Sequence, residues 1–322
     1  MNATSNETTI IGESNTIVEP NIYAPSRRTA RMSRRVKLTF GGALKSELLK
    51  LWSLNSTAIL LSIAIALMLS IAAVNVWAVT FVASIDMNTG KPLDEPRPVA
   101  ASDIWSSLAG SSVTTALVIG IFGVMAITSE YTTSVIQSSL TANPRRGMFY
   151  IAKSLAVALF ALAAGVVGAL LAWGLTAVMT AGHDITPLKD DQWRIVPMMI
   201  VGCPVTMALV ALLALGLGGL VRSTVGGVCA LVGLFMILSS VLSVTSLAVS
   251  QVPWLGTLSY LMPDQAMASF LSAGVQDSTT AALVSQRDYW VPAWWQSGLI
   301  VLIWVALAWI GGLIVTKKAD VK

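Results

Sequence analysis

Residues 129–153 read SEYTTSVIQSSLTANPRRGMFYIAK, the one polar, charge-bearing stretch set between two apolar runs of membrane length. Tyr131, Val135, Ile136 and Leu140, with small polar residues between them, form a narrow apolar stripe that predicts a short amphipathic helix beginning at Glu130. Pro144 ends it: a proline pushes the residue before it out of the α region, so Asn143-Pro144 marks a break. Arg145 and Arg146 follow at once and favour the cytoplasmic side of a membrane.

Outward from this stretch the chain is overwhelmingly apolar. It has 322 residues, 55% hydrophobic and 11% charged, with a mean hydropathy of +0.75, which places it in the membrane class. The charges cluster and leave uncharged stretches at Leu51–Ile85, Ile104–Ser129, Ser154–His183, Ile195–Val221, Ser223–Pro263 and Tyr289–Thr316. Each can hold a helix of the ~20 residues that a bilayer requires. The predicted fold is therefore an all-α membrane protein with six transmembrane helices in residues 57–322. The fifth stretch is longer than a span needs. Pro253, Gly256 and Pro263 break it after about Leu247, which predicts short helices lying in the outer interface before the last span. Pro204 predicts a kink in the fourth span, and Gly216, Gly218 and Gly219 before Arg222 predict a very short turn to the fifth.

Lysine and arginine set the orientation. Fifteen of the 20 fall on segments that six spans place on one side, which puts both termini in the cytoplasm of a multi-pass protein of the cell membrane. Trp105, Trp193, Trp254, Trp290, Trp294 and Trp295 then gather at the outer boundary as an aromatic belt.

Residues 1–42 read as a polar tail without helical periodicity, ending in the basic run from Arg27 to Lys37, a topology signal with a secondary reading as an attractor of anionic lipid. Residues 43–56 differ. Leu44, Leu48, Leu51 and Trp52 repeat at helical spacing, and Lys45, Ser46, Glu47 and Lys50 are assigned to the other face of a helix lying along the membrane.

The segment Glu47–Thr57 resembles the connecting helix that precedes the first span in ABC-2 type permeases, the membrane subunits of bacterial ATP-driven exporters. The stretch at 129–153 is similar to the loop between spans two and three of that family, through Ser129-Glu130-Tyr131, Leu140-Thr141, Pro144-Arg145-Arg146 and Ala152-Lys153. Where the family often has a basic residue after the tyrosine and then a Gly-Thr pair, this chain has Thr132 and Ser134-Val135. The resemblance implies a cytoplasmic coupling helix with Glu130, Tyr131, Val135, Ile136, Leu140, Pro144, Arg145 and Arg146 facing a separate ABC ATPase, and Glu47 and Lys50 on the connecting helix beside it. It also implies a second permease subunit, alike or different, and ATP with magnesium held by the partner chain. The plainer roles of these residues are helix capping, interface anchoring and topology.

The chemistry agrees in part. The chain has no G-x-x-x-x-G-K-[ST] phosphate loop, so ATP would bind elsewhere. Its one histidine, His183, reads as a solvated loop residue, and Cys203 and Cys229 read as small packing residues, with no metal site, no enzyme site and no nucleic-acid-binding pattern. No Asp, Glu, Lys or Arg falls within the proposed spans, which argues against an ion-coupled carrier. Ser239 and Ser243 on the fifth span and Ser107 and Ser111 on the second are candidates to line a pathway; their hydroxyls can equally bond back along their own helices. The apolar spans suit an amphipathic, lipid-like, drug or peptide cargo. The alternatives are an ion-coupled secondary transporter and a non-transporting immunity or scaffold protein of the membrane.

Overall fold

The computed structural model describes residues 39–86, 88–132, 146–248, 252–275 and 290–318. Helix α1 (Phe40–Ser53) begins ahead of the expected position, and Leu54, in extended backbone, separates it from α2 (Asn55–Ser84). Strand β1 (Val99–Ala100) leads into α3 (Ala101–Thr132); α4 (Arg146–Met179) follows, and then strand β2 (Ile185–Thr186). The two strands pair in parallel, Val99 with Ile185 and Ala100 with Thr186, clipping the loop after α2 to the loop after α4. Two residues are too few for an alternating pattern to have announced them.

Helix α5 joins Ile195–Pro197 and Cys203–Val221 through a π-helical turn at Met198–Gly202. The expected kink at Pro204 takes this form. In the wide turn the Cys203 N–H reaches back to the Met198 carbonyl, so the helix absorbs the proline, which has no N–H to give. Helix α6 repeats the device, with Thr224–Val232 and Ser239–Ala248 joined by a π turn at Gly233–Leu238. Between α5 and α6 the turn is two residues long. Arg222 closes α5 in the left-handed region at φ 55°, and the Ser223 hydroxyl caps α6 by accepting from the Gly226 N–H. Short helices α7 (Pro253–Tyr260) and α8 (Pro263–Leu271) precede the last helix, α9 (Trp294–Lys318).

Six of the helices are long and apolar enough to cross a membrane, α2, α3, α4, α5, α6 and α9. Helix α5 is the axle: 67% of its most apolar window is buried, against 22% for α2, α6 and α9. It can be because its neighbours meet it backbone to backbone. A side chain at Gly123 of α3 would strike the Ala211 carbonyl, and one at Gly216 would strike the backbone of Ala308 and Trp309 in α9. The lipid-facing surfaces of α2, α4, α6 and α9 keep large apolar side chains exposed, Ile59, Leu170, Val244 and Leu307 among them. One end of the bundle collects α1, Arg222 and Lys317 and is the basic end below; the strand clip marks the far end.

Helices α7 and α8 do not lie flat across that far end. They form a hairpin that enters the bundle. The Trp304 indole N–H donates to the Leu261 carbonyl at the hairpin's tip, 2.8 Å away, and Trp304 is ten residues, ~15 Å, inside α9. A hydrocarbon core is about 30 Å thick, so the tip reaches its middle. The turn residues Met262 and Pro263 are buried, and α8 packs on α9, α3 and both π turns. The expectation of interfacial helices missed this because the sequence between the prolines is neither charged nor long enough to be read as a span.

Candidate functional site

Four charged side chains from three helices meet at the basic end. Lys153 of α4 places its ammonium 2.7 Å from Glu47 Oε2 of α1 and 2.7 Å from Glu130 Oε1 of α3. Lys50 adds a second cation, 2.7 Å from Glu47 Oε1 and 3.4 Å from Glu130 Oε1. The cluster is neutral overall. The Lys153 side chain is only 3% exposed and that of Glu47 only 4%, whereas Lys50 is 41% exposed. The Phe149 ring lies under both ammonium groups, 5.4 Å from Lys153 and 6.0 Å from Lys50.

Glu47 was assigned to the polar face of its helix, and the structure puts it on the other. Positions 44, 47, 48 and 51 are i, i+3, i+4 and i+7, so Glu47 lies within the apolar stripe, beside buried Leu51, and Trp52 is left 79% exposed. A lone carboxylate there would be costly; Lys153 makes the position tenable. Burial pushes the Glu47 carboxyl up, but Lys153 and Lys50 outweigh it and hold it below its usual value. For Lys50, burial pulls downward and the bonds to Glu47 and Glu130 prevail, so its ammonium is held above its usual value.

One helical turn, Thr128 to Tyr131, ties this cluster to the rest of the bundle. Thr224 of α6 donates to the Thr128 hydroxyl at 2.8 Å, and Thr128 donates back to the Val124 carbonyl at 2.9 Å. Glu130 reaches α1 and α4 through the two lysines, and the Tyr131 hydroxyl lies 3.4 Å from Thr316 Oγ1 of α9. Arg222 completes the ring by donating to the Val315 carbonyl at 3.0 Å. Glu130 and Tyr131 thus belong to the last turn of α3 rather than to a separate helix, since nothing between Thr128 and Thr132 breaks the run. Val135, Ile136, Leu140, Pro144 and Arg145 lie outside the described residues, as does the amphipathic helix expected to hold them; Arg146 opens α4. An apolar cavity of about 250 Å³ borders the cluster, lined by Leu54, Leu60, Phe122, Met125 and Ala126, with Lys50, Glu130 and Lys153 at its edge.

The candidate pathway serines part company. Ser111 is fully buried and gives its hydroxyl to the Leu108 carbonyl at 2.7 Å. Ser107 bonds back to Ile104 at 2.7 Å, yet lines a far-end cavity of about 560 Å³ together with Asn75, Arg97, Asp103 and Ser106. Ser243 is half-buried on α6, with its carbonyl accepting from the Ser246 hydroxyl at 2.8 Å. Ser239 does something different. Its hydroxyl meets Asp264 Oδ2, on the first turn of α8, at 2.6 Å.

Sequence reasoning passed over Lys153 and Asp264 as site residues. Lys153 stands where the third span was expected to start, but α4 begins at Arg146 and carries it inward. Asp264 falls among the short helices expected in the outer interface. Only the hairpin brings it to Ser239. Elsewhere the plain readings hold for His183, which is exposed, and for Cys203, a buried thiol donating to the Ser112 hydroxyl at 3.3 Å; Cys229, also read as a packing residue, is exposed on α6 instead. Among the described residues no cluster of His, Cys, Asp and Glu could hold a metal ion.

No protein-family model matches the chain, and no curated protein matches it.

Proposed function

We propose that the chain is the permease subunit of an ATP-driven exporter of the ABC-2 type, embedded in a cell membrane with both termini on the cytoplasmic side. It pairs with a second permease subunit, alike or different, and with cytoplasmic ABC ATPases that hold ATP and magnesium; this chain is not itself the enzyme. The observation that carries this reading is the last turn of α3. Any displacement of the stretch that follows Thr132 is handed through Thr128, Glu130 and Tyr131 to α6, α1, α4 and α9, four helices joined to one turn by polar bonds. Such a joint converts a push at the basic end into a shift of packed helices. The cargo that suits it is amphipathic or lipid-like, because the helices offer almost wholly apolar surfaces to the membrane.

The test is purification of the tagged protein from its native membranes in mild detergent. A soluble-type ATPase should come with it in equal amount and be lost when residues 133–145 are replaced by a Gly-Ser linker. A stable preparation without an ATPase sinks the reading.

One observation favours a second reading, an ion-coupled carrier. Asp264 sets a carboxyl group in the middle of the bundle, where ionisable side chains serve ion pathways. Transport by the purified chain alone in proteoliposomes, driven by a proton gradient, would establish it.

A further inference from the structure

The Asp264 side chain lies at the tip of the hairpin, level with the middle of the last span. Two distances fix its depth independently. Leu261, three residues before it, accepts from Trp304, ~15 Å inside α9, and Ser239, its own partner, is nine residues, roughly 13 Å, short of the end of α6 at Ala248. Oδ2 receives the Ser239 hydroxyl at 2.6 Å and the Gln265 amide at 3.2 Å, while Oδ1 is fully buried and has no hydrogen-bond partner.

No cation balances it among the described residues. Of the elements packed on α8, the two π turns carry no titratable side chain and α7 carries Tyr260. Helix α3 carries Asp103 at one end and Glu130 and Tyr131 at the other, and α9 carries only Lys317 and Lys318, at the basic end. A carboxyl group so placed favours its neutral form.

A cavity also approaches the carboxyl group. A far-end cavity of about 480 Å³ runs along α8, lined by Arg194, Tyr260, Gln265, Ser269 and Ser272, and reaches the glutamine that bonds to Asp264.

We propose that Asp264 is a proton-binding site that latches the hairpin to the fifth span. In the latched state the neutral acid shares a hydrogen bond with Ser239. Ionisation passes the proton to water in the far-end cavity and leaves an anion to which the elements packed on α8 bring no cation, Arg194 standing on the wall of the cavity. The hairpin then relaxes towards that cavity, where the carboxylate is hydrated. Linkage gives the direction: the docked arrangement binds the proton more tightly than a hydrated one, so raising the pH shifts the population to the released hairpin. The inference rests on the architecture and not on the permease reading.

The test is hydrogen exchange of the full chain in lipid nanodiscs, followed by mass spectrometry between about pH 5 and pH 9 and corrected for intrinsic rates. In the wild type, amides of residues 255–271 should lose at least about tenfold in protection as the pH rises, and Asp264→Asn, neutral at every pH, should stay protected throughout. Infrared difference spectra of the wild type should show a protonated-carboxyl band at the acid end of this range that bleaches in parallel. A wild type whose protection does not change with pH, an Asp264→Asn that follows the same profile, or the lack of that band would each overturn the proposal. None of these readouts involves an ATPase or a cargo, so failure of the permease reading leaves them unaffected.

Discussion

Lys153 Nζ stands 2.7 Å from Glu130 Oε1, a buried bond between two helices whose sequence connection runs through residues 133–145. With Glu47 at the same distance on its other side, this single ammonium fastens α1, α3 and α4 together. Lys153→Met therefore leaves two carboxylates facing each other without their central cation. Breaking a buried pair by removing one partner costs about 3–5 kcal/mol. The variant should melt well below the wild type in detergent, by circular dichroism or scanning fluorimetry. Glu47→Gln with Glu130→Gln added to Lys153→Met should recover most of the loss, since the one charge then left without a carboxylate, Lys50, is 41% exposed and can be hydrated. Equal instability of the single and triple variants would show that the charges are incidental to the joint.

The same cluster fixes a response to acid. The folded-state pKa of Glu47 lies below its ordinary value of 4.5, so its contribution to stability is complete above that value and disappears as the pH falls through the lowered one. Lys50 has the opposite sign: its folded-state pKa is raised above 10.5, and its contribution is complete below that pH and lost as the pH rises through the raised value. Stability from these two groups is thus flat across the neutral range. The difference in melting temperature between the wild type and Glu47→Gln should be level near neutrality and shrink in acid, as the Glu47 carboxyl takes up its proton. A difference that slopes between pH 6 and pH 8 would contradict the assignment.

Much of this architecture was legible in the sequence, and the exceptions share a cause. Six apolar runs give six long helices, and Arg222 between glycines and a capping serine gives the two-residue turn, because length and turn chemistry are local properties. Glu47 was misplaced because its polarity was weighed ahead of its i, i+3, i+4 register with Leu44 and Leu48. The resolving fact, Lys153, is distant in sequence. The hairpin was misread for the same reason. Nothing between Pro253 and Leu271 says that Trp304 offers an indole N–H at mid-depth, or that Ser239 waits for a carboxyl group.

Tyr131 separates coupling from folding. Its hydroxyl lies 3.4 Å from Thr316, a marginal hydrogen bond, so Tyr131→Phe should cost less than about 1 kcal/mol of stability and leave the helices in place. In a reconstituted complex with its ATPase, the permease reading expects cargo-stimulated ATP hydrolysis to fall while basal hydrolysis is kept. Glu130→Ala is the poorer probe, because it also opens the buried cluster. Unchanged stimulation in Tyr131→Phe would remove this contact from the coupling route.

Two glycines test the packing on which the hairpin and the axle depend, and they should answer differently. A methyl group at Gly298 would come within 2.8 Å of the Phe270 ring of α8, and a ring can turn aside. At Gly216 the methyl group would meet the backbone of Ala308 and Trp309, which cannot. Overpacking of this kind costs about 1–3 kcal/mol, with the larger values where no side chain can yield. Gly298→Ala should therefore be mild, and Phe270→Ala should abolish what penalty it has, whereas Gly216→Ala should be severe and indifferent to Phe270→Ala. Melting of the wild type, the three single variants and the two double variants, as two double-mutant cycles, decides the matter. Coupling between positions 298 and 270, with none between 216 and 270, is the pattern that places α8 against α9 and leaves α5 as the separate axle around which the other spans are packed.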